Sequence, residues 1–205
     1  MISIIDYGAG NLRSVQKACQ AVGSDAQITC NPKEILNAER VILPGVGAFG
    51  DCMNSLKNSG LTEVIKEVAN SGKPFMGICL GMQLLFEESE ESPGAEGLGI
   101  FKGKIVKIPK ASDLKIPHMG WNSLDITKDT QIFKGLPENP FVYFVHSYYM
   151  EPQDKNIIAA TTEYGKTLPV ALEMENIFAT QFHPEKSGVT GLKILKNFIE
   201  AGGEA

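Results

Sequence analysis

Cys79 stands at a junction that is typical of a catalytic nucleophile. An apolar run over residues 75–78 predicts a buried strand, and residues 80–86 predict the start of a helix. Gly77 and Gly81 lie two residues to either side of the cysteine, which is the spacing of a nucleophile elbow with sulfur in place of oxygen. Such a turn leaves no room for a Cβ at either glycine, and the amides of the following helix favour a thiolate and an oxyanion. The alternative interpretation is a buried cysteine without chemistry.

A base and its orienting group are predicted near the other end of the sequence. A strand-like run over residues 177–182 leads to His183, and Glu185 follows two residues later. Residues i and i+2 of an extended segment point to the same side, and Pro184 between them favours extended backbone at His183. A cysteine nucleophile requires a base and a group that orients the base. The sequence therefore predicts a triad of Cys79, His183 and Glu185, although a solvated loop would explain the His-Pro-Glu segment taken alone.

A glycine-rich segment, residues 45–50, follows a short predicted strand and matches the dinucleotide fingerprint G-x-G-x-x-G. Pro44 interrupts the direct passage from strand to turn, and no clear strand-end acid lies at the distance that the fingerprint requires. Exposed backbone amides are the better interpretation. We expect the amides of Val46 and Leu80 to form an oxyanion hole beside Cys79.

The surrounding pattern predicts an α/β fold in which these groups are held at the ends of strands. Apolar strands at residues 2–5, 40–43 and 75–78 alternate with helices at residues 11–22 and at about 51–69, the latter broken near Gly60. An acidic segment over residues 87–97 is expected to be flexible. The second half predicts strands at residues 102–108, 121–126, 141–145, 157–161, 170–173 and 177–182, and a closing helix at about 189–201. We therefore expect one domain over residues 1–205, with a mostly parallel or mixed central sheet flanked by helices.

The motifs together resemble those of the class I (triad) glutamine amidotransferases. The cysteine and His-Pro-Glu segments are common to that class, and the likeness extends in order over nearly the whole sequence. Within the class, Pro44-Gly45-Val46-Gly47 and residues 117–122 are most similar to the glutaminase subunits of imidazole glycerol phosphate synthase. The matching segments are residues 6–12, 44–49, 77–86, 117–122, 143–148 and 181–187.

This resemblance implies a glutaminase that forms a heterodimer with a (β/α)₈-barrel cyclase subunit. The glutaminase would pass ammonia through a channel to the cyclase, which makes imidazole glycerol phosphate and aminoimidazole carboxamide ribonucleotide in histidine biosynthesis. It also implies that a peptide of the glycine-rich segment turns over before its amide can serve the oxyanion. The implied glutamine-binding residues are Gly45, Gly47, Gln83, Ser147 and Tyr148, and the implied partner-facing residues are Asn11, His118 and Trp121.

Composition excludes several other classes of protein. A net charge of −5 argues against a general nucleic-acid surface, and no apolar stretch is long enough to cross a membrane. No residue cluster has zinc-ligand spacing, so neither metal nor cofactor is expected. The four cysteines show neither a C-x-x-C pair nor a disulfide framework, which favours a reducing cytoplasm that would keep Cys79 active.

Three alternatives remain open from the sequence. The chain could serve another synthase of the same class, although residues 119–122 argue against that. It could be a cysteine peptidase or thioesterase on the same elbow, which would show no preference for glutamine. A non-catalytic binding protein would leave Cys79 unreactive towards a glutamine-like electrophile.

Overall fold

A computed structural model of the protein describes residues 1–110 and 114–202, and the end of the predicted 1–205 domain beyond residue 202 lies outside it. The described residues form helices that flank a mixed sheet. The helices are α1 (Leu12–Ala21), α2 (Pro32–Asn37), α3 (Phe49–Ser59), α4 (Thr62–Asn70), α5 (Leu80–Gln83) and α6 (Gly188–Glu200). The strands are β1 (Ile2–Ile5), β2 (Ala26–Thr29), β3 (Arg40–Gly45), β4 (Phe75–Cys79), β5 (Glu88–Ser89), β6 (Gly103–Lys107), β7 (His118–Ser123), β8 (Asp125–Ile126), β9 (Phe141–His146), β10 (Tyr148–Pro152), β11 (Ile158–Glu163), β12 (Thr167–Met174) and β13 (Ile177–Thr180).

The central sheet has the strand order β2-β1-β3-β4-β13-β12-β11-β8. The five strands from β2 to β13 run parallel, and β12, β11 and β8 continue the sheet in antiparallel fashion. Strands β1 and β4 are buried at every residue, as expected for parallel strands that are covered on both faces. The predicted α/β fold with a mixed sheet is confirmed.

Two smaller sheets complete the fold beside the carboxyl ends of the parallel strands. One has the order β10-β6-β5, and the other is an antiparallel ribbon of β7 and β9. The ribbon has two unlike faces because side chains alternate along a strand. His118, Val142, Phe144 and His146 are buried on one face, while Met119, Trp121 and Phe141 are exposed on the other.

The helix after Cys79 is shorter than predicted. It ends at Gln83, because the carbonyl groups that would continue it accept hydrogen bonds from a returning segment instead. The amide of Leu98 donates to the Leu84 carbonyl, and the amide of Ile100 donates to the Leu85 carbonyl, both at 2.9 Å.

The acidic segment 87–97, predicted to be flexible, makes defined contacts. Strand β5 pairs with β6 in parallel, and the Glu91 carboxylate accepts a hydrogen bond of 2.8 Å from the amide of Phe49 at the start of α3. Carboxylates are favoured at this end of a helix because its first amides are unpaired.

Candidate active site

Cys79 occupies a strained backbone position at the end of β4. Its φ of 55° and ψ of −112° lie in a region that residues with side chains rarely adopt, which is typical of a functional turn. A Cβ added at Gly81 would lie 1.9 Å from the Leu43 carbonyl oxygen, and one at Gly77 would lie 3.0 Å from the Gly81 carbonyl oxygen. Close backbone approach therefore excludes a side chain at Gly81 and leaves little room for one at Gly77, as the elbow predicts.

The sheet brings the other predicted groups to the same edge. In the parallel register Gly45 of β3 lies opposite Cys79, and Thr180 of β13 lies opposite Ile78. Residues that follow β13 consequently emerge beside the cysteine. Parallel strands present their carboxyl ends at one edge, which is where sites of α/β proteins form.

His183 and Glu185 form a buried pair. Nδ1 of His183 lies 2.8 Å from Oε1 of Glu185, and the exposed fractions of the two side chains are 2% and 1%. The geometry differs from the extended segment that the sequence predicts, because Pro184–Lys186 form a 3₁₀ turn directly after His183. The backbone of His183 is fixed on both sides, since its amide donates to the Tyr143 carbonyl and its carbonyl accepts from the Ser187 hydroxyl.

The environment of His183 favours its charged form. Burial lowers the pKa of this imidazole, but the neighbouring Cys79 and Glu185 outweigh burial and raise the pKa to about 9. Nε2 is buried and makes no hydrogen bond with any described residue. Nε2 is therefore the nitrogen that can exchange a proton with the Cys79 sulfur or with a ligand.

A cavity of about 280 Å³ opens onto Cys79 and His183. It contains most of the residues predicted to bind glutamine or its oxyanion. Gly45 is the exception, and a Cβ there would lie 2.7 Å from the Tyr7 hydroxyl and 2.8 Å from the Gly81 amide nitrogen, so this glycine allows close packing beneath the site. The lining residues are Val46, Gly47, Cys79, Leu80, Gln83, Ser147, Tyr148 and His183, together with Glu91, Pro117, Val145 and His146, which were not among the predicted glutamine-binding residues.

Gln83 is held by the protein through its amide nitrogen. Nε2 donates to Oε1 of Gln181 at 2.9 Å and to the Tyr148 carbonyl at 3.3 Å, which leaves Oε1 of Gln83 for a ligand. Gln181, which sequence reasoning missed, donates from its Nε2 to the Cys79 sulfur at 3.7 Å. The available signal was its position two residues before His183 in the sequence.

The glycine-rich segment is anchored on both sides of the Val46 amide. The Tyr7 hydroxyl donates to the Pro44 carbonyl at 2.9 Å, and the Cys52 thiol donates to the Val46 carbonyl at 3.4 Å. Gly47 has a φ of 110°, a conformation that glycine adopts readily. The Pro44 and Val46 carbonyls therefore both accept hydrogen bonds, and the peptide that joins Gly45 to Val46 lies between these two fixed points.

The predicted partner-facing residues separate into two groups. Asn11 and Trp121 are exposed, and Trp121 belongs to an apolar patch that also contains Met119, Phe141 and Val189. The structure corrects the prediction that His118 faces the partner. This residue is only 3% exposed, and its ring points into the protein from the opposite face of β7. Strand alternation explains the difference, since residues 119 and 121 face outward when residue 118 faces inward.

Among the described residues, no group of three or more histidine, cysteine, aspartate or glutamate side chains could hold a metal ion. Within the same ranges, no helix is long and apolar enough to span a membrane. All four cysteines are free thiols, and Cys30 alone is exposed.

Known proteins resemble this chain over nearly its full length. Residues 3–201 match the family described as glutamine amidotransferase class-I. The chain is 58% identical over 200 residues to the imidazole glycerol phosphate synthase subunit HisH of Caldanaerobacter subterraneus, with 98% of each chain covered. It is 52% identical over 200 residues to the protein of the same name from Methanocaldococcus jannaschii, with 98% of this chain and 99% of that protein covered.

Solved structures are similar in fold at much lower identity. A glutamine amidotransferase crystal structure superposes with a TM-score of 0.75 at 17% identity, with 97% of both chains covered. The structure of PurLQS from Thermotoga maritima gives a TM-score of 0.75 at 20% identity, again with 97% of both chains covered. These structural likenesses extend to the fold alone.

Proposed function

Because the chain belongs to the class I glutamine amidotransferases, and within them to the family of the imidazole glycerol phosphate synthase subunit HisH, we propose that it hydrolyses glutamine and supplies ammonia for histidine biosynthesis. The observation that carries this proposal is the buried pair of His183 and Glu185, 2.8 Å apart, beside the elbow cysteine at a cavity of about 280 Å³. A cavity of this size suits a small molecule.

The reaction begins when the proton of Cys79 has passed to Nε2 of His183 and the resulting thiolate attacks the side-chain amide carbon of glutamine. The developing oxyanion accepts hydrogen bonds from the backbone amides of Leu80 and Val46. His183 carries a proton at neutral pH because its pKa is raised to about 9, and it gives that proton from Nε2 to the departing ammonia. A γ-glutamyl thioester on Cys79 remains.

In the second half of the reaction His183 acts as a general base, whereas in the first half it acts as a general acid. His183, now neutral, takes a proton from a water molecule as the water oxygen attacks the thioester carbon. The carbon–sulfur bond breaks, glutamate leaves, and Cys79 and His183 regain their first state. Glu185 holds Nδ1 of His183, so that Nε2 faces the reacting atoms in both steps.

Binding of the substrate requires partners for its ammonium and carboxylate groups, because an unpaired charge in a cavity is costly. Glu91 is the carboxylate that lines the cavity, and we assign it to the ammonium group of glutamine. Gln83 offers its free Oε1 as a further acceptor, and Ser147 and Tyr148 also line the cavity.

Ammonia released into water would take up a proton and lose its nucleophilic electron pair, so a partner that receives it directly is expected. We assign the docking face to the exposed side of the ribbon, formed by Met119, Trp121 and Phe141, with Val189 beside it. Large exposed apolar side chains that cluster in this way are typical of a protein interface. The partner proposed is the (β/α)₈-barrel cyclase subunit, joined to this chain as a heterodimer in the cytoplasm, where free thiols persist.

The oxyanion hole is proposed to be incomplete at rest. The Gly45–Val46 peptide lies between two anchored carbonyls, and a turn of that peptide would direct the Val46 amide towards Cys79. Glutamine hydrolysis by the isolated chain would then be slow. A resting rate equal to the stimulated rate would contradict this part of the proposal.

The test is glutamate release from glutamine by the isolated chain, and then by the chain with the cyclase subunit and its nucleotide substrate. The Cys79→Ala variant is the control. Stimulation that vanishes in the variant supports both the triad and the partner. Basal activity that depends on Cys79 without stimulation would assign the chain to another synthase, and hydrolysis of peptides or thioesters in place of glutamine would refute the glutaminase.

A further inference from the structure

Two histidines outside the triad form a hydrogen-bonded pair between the exposed ribbon and the glutamine cavity. Nδ1 of His118 lies 2.9 Å from Nε2 of His146, and Nδ1 of His146 lies 2.8 Å from the Tyr148 carbonyl oxygen. The exposed fractions of the two histidines are 3% and 5%. His146 and Tyr148 both line the cavity, yet neither histidine has a part in the reaction described above.

The Tyr148 carbonyl sets the direction of these hydrogen bonds. A carbonyl only accepts, so Nδ1 of His146 carries the hydrogen. Burial lowers the pKa of His146 to about 3 and that of His118 to about 4, and each ring is therefore neutral with one N–H. Nε2 of His146 must then accept, and Nδ1 of His118 must donate to it. Nε2 of His118 is left as an acceptor.

The contacts of Asn122, beside His118, lead independently to the same assignment of hydrogen-bond donors and acceptors. The amide of Ser123 donates to Oδ1 of Asn122 at 2.9 Å, and Nδ2 of Asn122 donates to the Glu163 carbonyl at 2.9 Å. These two bonds fix the orientation of the Asn122 side chain. Its Nδ2 therefore also donates to Nε2 of His118, at 3.3 Å, which is the acceptor that the first end requires.

We call this series the histidine bridge, formed by the Asn122 amide, His118, His146 and the Tyr148 carbonyl. The histidine bridge ends on an oxygen that also accepts from Gln83 at 3.3 Å. From there Gln83 donates to Gln181 at 2.9 Å, and Gln181 donates to the Cys79 sulfur at 3.7 Å. Hydrogen bonds therefore connect the ribbon to the nucleophile without interruption.

We infer that His118 and His146 are positioning residues, which hold the Tyr148 carbonyl, and through it Gln83 and Gln181, in the arrangement that binds glutamine beside Cys79. The inference rests on the proposed glutaminase function. Strand β7 carries His118 and Asn122 inward and Trp121 outward, so the ribbon that faces a partner also supports the glutamine site. A half-satisfied buried network is costly, and loss of one member is expected to loosen the rest.

A purely structural role is the alternative, because the His118 ring also packs between two aromatic rings. Its centroid lies 3.8 Å from that of Tyr164 and 4.6 Å from that of Phe144. The two roles require different atoms. Packing requires a ring at residue 118, whereas positioning requires a hydrogen-bond donor at the place of Nδ1.

Two variants of residue 118 separate these roles. His118→Phe keeps an aromatic ring and removes the donor, while His118→Asn keeps an amide donor near the place of Nδ1 and removes the ring. We expect the KM for glutamine to rise about 5- to 10-fold in His118→Phe with a smaller change in kcat, and to stay within about 2-fold of wild type in His118→Asn. Tyr164→Phe is the matched control, since it retains its ring against His118, and its KM is expected to be unchanged.

The measurement is steady-state glutamate release by the full chain with its stimulating partner, together with the urea midpoint of each variant. An unchanged KM in His118→Phe, or a rise in His118→Asn as large as that in His118→Phe, would overturn the inference. A wild-type chain without any glutamate release that depends on Cys79 would instead refute the proposed function.

A readout that does not depend on activity is the tautomer of each ring. The chain has three histidines, so ¹⁵N NMR of the imidazoles is readily assigned by single substitutions. His118 and His146 are both expected to be neutral at pH 7 with the hydrogen on Nδ1. Hydrogen on Nε2 of either ring, or a charged ring at that pH, would overturn the inference even if the glutaminase proposal stands.

Discussion

Glu185→Gln should change both the rate and the pH dependence of glutamine hydrolysis. The substitution keeps the size of the side chain but removes the charge that faces His183 Nδ1 at 2.8 Å. We expect kcat/KM to fall by about 10³- to 10⁴-fold, as when an analogous triad loses its carboxylate. Glu200→Gln is the matched control, because that glutamate is exposed and forms only a surface ion pair with Lys196.

The magnitude of the pH effect follows from the environment of His183. The difference between its pKa of about 9 and the ordinary value of 6.5 corresponds to about 3 kcal/mol, to which Cys79 and Glu185 both contribute. Loss of the Glu185 charge should therefore lower the pKa of His183 towards its ordinary value, since burial then acts against one supporting group fewer. The alkaline limit of kcat/KM, where His183 loses the proton for the leaving ammonia, should lie near pH 9 in wild type and at least about 1 pH unit lower in the variant.

The free energy of unfolding should also depend on pH, because the pKa of His183 differs between the folded and the unfolded protein. Because the pKa of His183 is raised in the folded protein, the folded state retains a proton that the unfolded chain releases between about pH 6.5 and 9. The stabilisation is complete below the unfolded pKa and is lost as the pH rises through the folded one. Urea unfolding at several pH values should show the largest difference between wild type and Glu185→Gln near pH 6. Equal alkaline limits, or a stability difference that grows above pH 9, would refute the assignment of Glu185.

Three further changes test other parts of the site. Gly81→Ala should lower the free energy of unfolding by about 3 kcal/mol or more, measured in urea, because its Cβ would lie 1.9 Å from a carbonyl oxygen of β3; normal stability would contradict the elbow geometry. Glu91→Gln should raise the KM for glutamine about 10- to 100-fold by removing the charge opposite the ammonium group, whereas Glu90→Gln should not, and equal effects would argue against this assignment. Trp121→Ala should weaken binding of the cyclase subunit about 10- to 100-fold, measured by titration calorimetry. The Trp121 side chain is 55% exposed in the isolated chain and would be buried in the complex, so unchanged affinity would place the interface elsewhere.

Much of the fold was predictable because its elements have simple local patterns. The apolar strands β1, β3 and β4 lie where the sequence predicts them, within two residues at each end. Strands β2, β5 and β10 were not predicted. Two of them are short and partly polar, and β10 follows β9 after a single bend at Ser147, so only their pairing with other strands identifies them.

The site was predictable to the extent that its constraints are local. Cys79 is flanked by its two glycines in the sequence, and His183 lies two residues from its carboxylate. Glu91 and Gln181 were missed as active-site residues for different reasons. Gln181 follows the last residue of β13, and only the pairing of β13 with β4 brings it to the sulfur. Glu91 lies in an acidic segment without a motif, and it reaches the cavity only because that segment folds against α3.

The sequence by itself determined the chemistry, whereas the tertiary structure decided which side of the ribbon serves it. Residue types and short spacings specify a cysteine elbow and its base, since Gly77 and Gly81 flank Cys79 in the sequence and Glu185 lies two residues from His183. The direction of His118 could not be obtained in this way. Its burial depends on which face of β7 packs against the core, and its partners His146 and Tyr148 are brought to it by antiparallel pairing and by the sheet beyond. Contacts between distant segments are selected by the packing of the whole chain, and the hydrogen bonds from the ribbon to Cys79 therefore exist only in the folded protein.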